Sequence, residues 1–420
     1  MTLEPELHSE SRGQNYAWTV VLLLIPVALL NYLDRQMLAA MKSSMMADIT
    51  DIQTAERWGL VLGWFKWVYA GLSPLGGYIA DRFSRRHVIA ASLFIWSAVT
   101  WATGHVTTYN ELIFARAVMG VSEAFYIPAA LALIADFHPG TTRSRAIGFH
   151  QMGIYAGIII GGHAGDWADN PDIGWRKAFA VAGMIGIVYA LPLFAVLRNP
   201  RREVMANGNS SPGGAIRELF GNPGFILMVL YFTLPAMAGW VIKDWGPDIL
   251  KTKFTLSQGT SGKLAVYYVQ IPSLIGVVLG GFLADRLMRK TIRGRIFISA
   301  LGMMMFLPAL LGLGQTDSLS FALACLILYG LGWGFFDCNN MPILSQVVRP
   351  NLRATGYGIM NLVSISCGGL ADWQFGKLRD QGYSLGLIFG VFAAVALLSV
   401  AIVLMIRPRA DLDNPPAVTP

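Results

Sequence analysis

The stretch Gly77-Tyr-Ile-Ala-Asp81-Arg82-Phe-Ser-Arg85-Arg86 ends one long apolar run, and 204 residues later Gly281-Phe-Leu-Ala-Asp285-Arg286-Leu-Met-Arg289-Lys290 ends another. A second pair aligns Gly120, Glu123 and Pro128 with Gly334, Asp337 and Pro342 at one shared offset of 214. A third follows each of these, Arg143-Ser-Arg-Ala-Ile-Gly148 against Arg353-Ala-Thr-Gly-Tyr-Gly358. The chain therefore carries one plan twice in the same order. Parallel repeats in an apolar chain are the signature of a transporter built from two similar helical halves.

The composition agrees. Of 420 residues, 54% are hydrophobic and only 14% charged, against roughly 25% charged in a soluble domain. Mean hydropathy is +0.51. Runs such as Trp18 to Leu30, Val88 to Ala102, Ala178 to Leu197, Ile296 to Leu313 and Leu385 to Ile406 approach or exceed the ~20 residues that cross hydrocarbon as a helix. The solvent is a bilayer. The first run is followed by Asp34-Arg35 rather than by a small-residue cleavage site, so it reads as a retained helix. Net charge is +7, yet the basic residues sit in short loops and no basic groove with interleaved aromatics appears, which argues against nucleic acid. Cys325, Cys338 and Cys367 lie inside predicted spans without metal or redox spacing and read as packing residues. No metal site is expected.

Turn and charge signals predict an all-α membrane protein with twelve transmembrane helices in two six-helix, pseudo-symmetric halves. The spans are 17–41, 58–81, 87–105, 112–136, 145–166, 177–197, 224–245, 263–285, 296–315, 320–346, 354–375 and 385–406. Arg and Lys concentrate in the loops that lie inside if the amino terminus is cytoplasmic, so the positive-inside rule puts both termini in the cytoplasm of a cell inner membrane. The domain reading is a tail at 1–16, a first half at 17–198, a flexible cytoplasmic linker at 199–222, a second half at 223–406 and a tail at 407–420. The linker contains Asn207-Gly-Asn-Ser-Ser-Pro-Gly-Gly214.

Over essentially the whole chain the sequence resembles the major facilitator superfamily. The loop Gly77 to Arg86 is similar to that family's G-x-x-x-D-R-x-G-R-R signature, repeated at Gly281 to Lys290, with Ser84 and Met288 where the signature has its second glycine. The resemblance implies a gating role for Asp81, Arg82, Arg85, Arg86, Asp285, Arg286 and Arg289, which in the family pair with neighbouring helix ends and latch the cytoplasmic side. Asn31-Tyr32-Leu33-Asp34-Arg35 and Arg116-x6-Glu123 resemble two branches, the anion:cation symporters of sugar acids and the spinster-like carriers of lysolipids and sphingoid lipids. Both branches share these motifs.

Asp34, Arg35, Lys66, Arg116, Glu123 and Asp337 are the ionisable residues placed within spans, where each costs several kcal/mol against lipid. They are expected to face an interior, to pair, or to bind a charged solute. Arg116 and Glu123 are seven residues apart, two helical turns, which puts them on one face about 10 Å apart along the axis. Glu123 is the candidate proton carrier, because burial and a nearby Arg pull its ionisation in opposite directions; the resembling families use it for proton coupling. Asp34 is the second, coupled to Arg35 or Lys66. Arg35, Arg116 and Lys66 are the candidate anion ligands, the arginines able to grip a carboxylate with two hydrogen bonds; Lys66 snorkelling to the interface is the alternative. A static salt-bridge network is the competing reading of the whole set. His150, Gln151 and Tyr155 in the first half, and Asn339, Asn340 and Asn361 in the second, are candidate hydrogen-bonding groups for a hydroxylated solute. Trp245, near a span end, is expected to anchor at the interface, and Trp64 and Trp333 lie deeper.

The expectation is a monomeric, proton-coupled symporter of a small organic anion, a sugar acid or other carboxylated carbohydrate, working by alternating access without a cofactor; sodium coupling stays open. The rival is a spinster-like transporter of lysolipids or other amphiphiles. A sensor would need a signalling domain longer than the tail after Arg407. An enzyme would need a nucleophile-base pair, a metal set or a phosphate loop, none of which the sequence offers.

Overall fold

The computed structural model describes residues 4–138, 142–199 and 212–409; the side chains at 4–15, 77–78, 80–82, 144, 212–213, 215 and 351 lie outside that set. The described residues form helices and connecting turns only. In chain order they are α1 (Glu4–Ala40), α2 (Lys42–Asp48), α3 (Ala55–Arg82), α4 (Arg85–Thr103), α5 (Tyr109–Glu123), α6 (Tyr126–Phe137), α7 (Arg143–Gly161), α8 (Ala164–Asp169) and α9 (Gly174–Val196). The second half continues with α10 (Pro212–Phe220), α11 (Pro223–Phe254), α12 (Gln258–Met288), α13 (Gly294–Gln315), α14 (Leu319–Asp337), α15 (Asn340–Val347), α16 (Arg353–Asp380) and α17 (Leu385–Met405). Counting α5 with α6 and α14 with α15, these supply a long rod for each of the twelve expected spans.

Eight rods are long and apolar enough to cross a bilayer on those grounds alone. Their outer faces carry residues such as Leu22, Phe114, Val278 and Val391 in the open. An apolar helix exposing its apolar residues is stable only where the solvent is itself apolar.

Two differences from the sequence reading have local causes. The α11 helix runs nine residues past its predicted end, straight through Gly246-Pro247. Pro247 removes one backbone donor, but Trp245 before it and Ile249 and Leu250 after it are buried, and that packing holds the helix together. The linker is also not uniformly irregular, since its end folds into the amphipathic α10, with Leu219 buried.

Residues cluster into two compact units. The first holds 1–53, 67–205 and 257–263; the second holds 54–66, 206–256 and 264–420. The first part of α3 falls in the second unit, and the first turn of α12 in the first. In the first unit α1 runs along α7 and α4 along α9. Gly153 and Gly157 let α7 approach α1 closely, a Cβ at Gly153 falling 2.6 Å from the Ile25 carbonyl and one at Gly157 colliding with that of Leu29. Small residues at such crossings are how membrane helices gain contact without a hydrophobic driving force. In the second unit α13 packs on α14 and α17, and α11 on α16, around Tyr231, Phe306, Phe336 and Phe389.

Both fourth rods break just after the matched acidic residue. Glu123 is the last residue of α5 and Asp337 the last of α14, each followed by two residues before the helix resumes. The repeat seen in the sequence is thus also a repeat of helix irregularity, which frees backbone groups beside a charged side chain.

Candidate functional site

The α5 helix begins at a capping box. Thr108 Oγ1 accepts from the Glu111 amide at 3.3 Å, and Glu111 Oε2 accepts from the Thr108 amide at 3.3 Å. This fixes the register from which Arg116 and Glu123 project, and both are buried as the seven-residue spacing requires. On α1, Asn31, Asp34 and Arg35 fall at i, i+3 and i+4 and share a face.

These two helices bring four charges together inside the first unit. Arg35 Nε donates to Glu123 Oε2 at 2.8 Å, and its Nη2 lies 2.5 Å from the same oxygen. The Arg35 guanidinium also sits over the rings of Tyr32 and Tyr69, 5.0 and 5.1 Å from their centroids. Asp34 lies within the fields of Arg116, Glu123 and Arg35, and its Oδ2 is 3.1 Å from the hydroxyl of Thr100. Arg116 Nη1 points to Met119 Sδ at 3.0 Å. Counted formally, two carboxylates face two guanidinium groups and the cluster is neutral. In this cluster Asn31 Nδ2 and Oδ1, Asp34 Oδ1 and Glu123 Oε1 are buried and keep open hydrogen-bonding capacity. Buried polar atoms rarely stay unpartnered, so such a concentration marks a place built to meet water or a polar ligand.

Lys66 is not part of this group. It is buried, does not snorkel, and its Nζ donates to Asp244 Oδ2 and Asp372 Oδ2 inside the second unit. The anion ligands expected from the sequence therefore reduce to two arginines, and Asp34 has Arg116 and Thr100, not Lys66, as neighbours. Asp244 and Asp372 lie inside the predicted spans 224–245 and 354–375, yet the sequence does not single them out, because Asp244 sits beside Lys243 at the very end of its span and Asp372 has no counter-charge near it along the chain. The second unit thus has a buried charge cluster of its own.

The hydrogen-bonding candidates divide. His150 is buried, with Nε2 at 2.9 Å from the Tyr126 hydroxyl. Asn339 donates to the Phe335 carbonyl at 2.8 Å, and Asn340 accepts from Tyr231 at 2.9 Å and donates to Asp337 at 3.3 Å. His150 and Asn340 thus join neighbouring helices, and Asn339 bonds back to its own chain at the break after α14. Gln151 is exposed, Tyr155 and Asn361 are half-buried, and Asp337 is exposed at the end of α14. Trp245 is fully buried against Phe375, ring centroids 4.9 Å apart, so it is no interface anchor. Trp64 is exposed, and Trp333 stacks on Phe306 and Tyr329.

Of the gating candidates, Asp81 and Arg82 have side chains outside the described residues. Arg85 binds the Asp136 carboxylate and the Ala132 carbonyl, the latter at 3.0 Å, tying α4 to α6. Arg86 reaches the Leu197 carbonyl at 3.3 Å, and its amide donates to Asn199 at 3.2 Å. Asp285 and Arg286 are exposed on the last turn of α12, and Arg289 is exposed in the turn just after it.

The family model of the Major Facilitator Superfamily matches residues 24–371, and the chain belongs to that superfamily of secondary transporters. Among its relatives are protein spinster homolog 1 of Xenopus tropicalis, 28% identical over 391 residues that cover 86% of this chain and 73% of that protein, and protein spinster of Drosophila melanogaster, 27% identical over 379 residues covering 86% and 61%. An MFS-type efflux pump of Mycolicibacterium smegmatis is 25% identical over 382 residues, 89% of this chain and 87% of that one. Of solved structures, a bacterial homolog of the human lysosomal transporter Spinster, inward-facing and unoccupied, superposes with TM-score 0.74 at 22% identity over 93% of this chain and 95% of that one. A D-xylose-proton symporter gives 0.74 at 18% identity over 94% and 98%. The last two show a shared fold.

Proposed function

We propose that the protein is a proton-coupled symporter of a small organic anion, moved by alternating access across the cell inner membrane with both termini in the cytoplasm. The observation that carries this reading is the neutral quartet of Asp34, Arg35, Arg116 and Glu123. A proton on Glu123 removes the partner of Arg35 and leaves the cluster with one excess positive charge. A monovalent anion gripped by Arg35 or Arg116 restores neutrality. Proton and anion therefore stabilise each other's binding, and either alone leaves a buried net charge that costs several kcal/mol.

Asp34 is an alternative seat for that one proton in the same cluster. Thr100 has a single hydroxyl proton, yet its oxygen lies 3.1 Å from Asp34 Oδ2 and 2.9 Å from the Trp96 carbonyl. When Asp34 is protonated, it donates to Thr100 while Thr100 donates to Trp96, and both contacts are hydrogen bonds. The solute class we favour is a sugar acid or other carboxylated carbohydrate. The test is uptake into proteoliposomes under an inward proton gradient, with a panel of sugar acids, sialic acid, neutral hexosamines and lysolipids. Accumulation of an acid with uptake of protons is expected; accumulation of neutral solutes alone would remove the anion argument.

The spinster relatives favour a second reading, an amphiphile with an anionic headgroup. It uses the same two arginines, and saturable competition by lysolipid against the acid distinguishes it.

A further inference from the structure

The buried cluster in the second unit is unlike the one in the first, because its charges do not balance. Lys66 on α3 faces two carboxylates, Asp244 on α11 and Asp372 on α16, and donates to one oxygen of each. Asp372 is fully buried, as are nearly all of Lys66 and Asp244. Two indoles flank them. Lys66 Nζ lies 4.4 Å from the centroid of Trp240, and Trp245 lies beside the Asp372 carboxylate, whose Oδ1 accepts no hydrogen bond of good geometry. Lys243 is half-buried on the ring of Trp240 at 5.2 Å. With both acids ionised the cluster carries one excess negative charge in an apolar interior, a state that burial strongly disfavours.

We infer that Asp244 and Asp372 share a second proton-binding site, separate from Glu123 and Asp34, with Lys66 as its fixed counter-cation. Each carboxylate already gives one oxygen to the ammonium. What remains is too few ligands for a metal ion and enough for one proton. That proton makes the cluster one ammonium, one carboxylate and one carboxylic acid, which is neutral.

The site sits where α3 is fastened to α16. The Asp380 carboxylate caps the start of α3, accepting from the Ala55 amide at 2.9 Å and the Glu56 amide at 2.7 Å. Glu56 in turn accepts from the Trp373 indole at 2.9 Å, and Lys377 lies over that ring at 5.7 Å. Gly59 and Gly376 bring the two backbones into contact; a Cβ on Gly59 would sit 2.5 Å from the Asp372 carbonyl. If this seam opens during the alternating access proposed above, Asp244 and Asp372 gain access to water and release the proton; closing the seam requires taking it up again. A proton is thereby tied to a step that the substrate site does not itself contain.

The site can be tested without knowing the substrate, so its failure would leave the anion reading untouched. Protein reconstituted in liposomes, with Glu123→Gln and Asp34→Asn already introduced, is examined by infrared difference spectroscopy between neutral and alkaline pH. A carboxylic-acid C=O stretch is expected. Adding Asp372→Asn, or separately Asp244→Asn, leaves one acid against Lys66, a neutral pair that needs no proton, so the band is expected to vanish in each. Persistence of the band in either variant overturns the assignment, as does its absence from the parent protein. Loss of the band on adding sodium at constant pH would make the site a metal site and overturn the proton assignment too.

Discussion

At the scale of single residues, the consequential fact is which acid each arginine holds. Arg35 binds Glu123, while Asp34 lies in the field of Arg116, which is on the same helix as Glu123. Replacing Glu123 with Gln keeps the hydrogen-bonding shape but fixes the group in its neutral state. Glu123→Gln is expected to abolish proton-driven accumulation while counterflow exchange of the same solute continues; unchanged uphill uptake in proteoliposomes would sink the coupling role. Arg35 also depends on being an arginine, since its planar guanidinium lies over two tyrosine rings while donating to Glu123. Arg35→Lys retains the charge and loses the fork and the stacking, so anion affinity should fall about tenfold or more. Equal affinity in a binding titration would mean that a point charge suffices.

Among the elements, close crossings decide stability. The α1 and α7 helices meet where Gly153 and Gly157 have no side chain, and the obstacle to one is backbone, which does not yield as a flexible side chain would. Gly157→Leu is expected to destabilise the first unit by about 1–3 kcal/mol, read as a lower thermal midpoint in detergent. The same change at Gly390, where a Cβ meets nothing within 4 Å, should leave the midpoint nearly unmoved. The interrupted rods belong to this scale as well. Their breaks follow Glu123 and Asp337, residues matched in the sequence, yet neither stretch carries an obvious breaker at the break itself. Pro128 and Pro342 lie within the next turn or so, so the sequence hinted at the irregularity without locating it.

For the whole molecule, charge asymmetry between loops carries the orientation. Under the proposed topology the turn between α3 and α4 is cytoplasmic and the turn between α4 and α5 is external. A cysteine replacing Ser84 should resist a membrane-impermeant thiol reagent in intact cells, and one replacing His105 should react. The opposite pattern would invert the protein in its membrane and reverse the sense of the proton gradient it uses.

By itself the sequence determined the number and order of the long rods and the twofold repetition of their motifs. It also placed the buried charges near Asp34, Arg35, Arg116 and Glu123. Each is a local quantity: run length against bilayer thickness, loop charge, and spacing along one helix. Only the tertiary structure decided the pairing, because Lys66 lies 178 residues from Asp244 and 306 from Asp372, and nothing in the neighbourhood of any of the three announces the other two. Spacing along a helix tells which face a charge is on. What that face meets depends on how the helices pack, and a buried charge takes whichever partner the packing brings within reach.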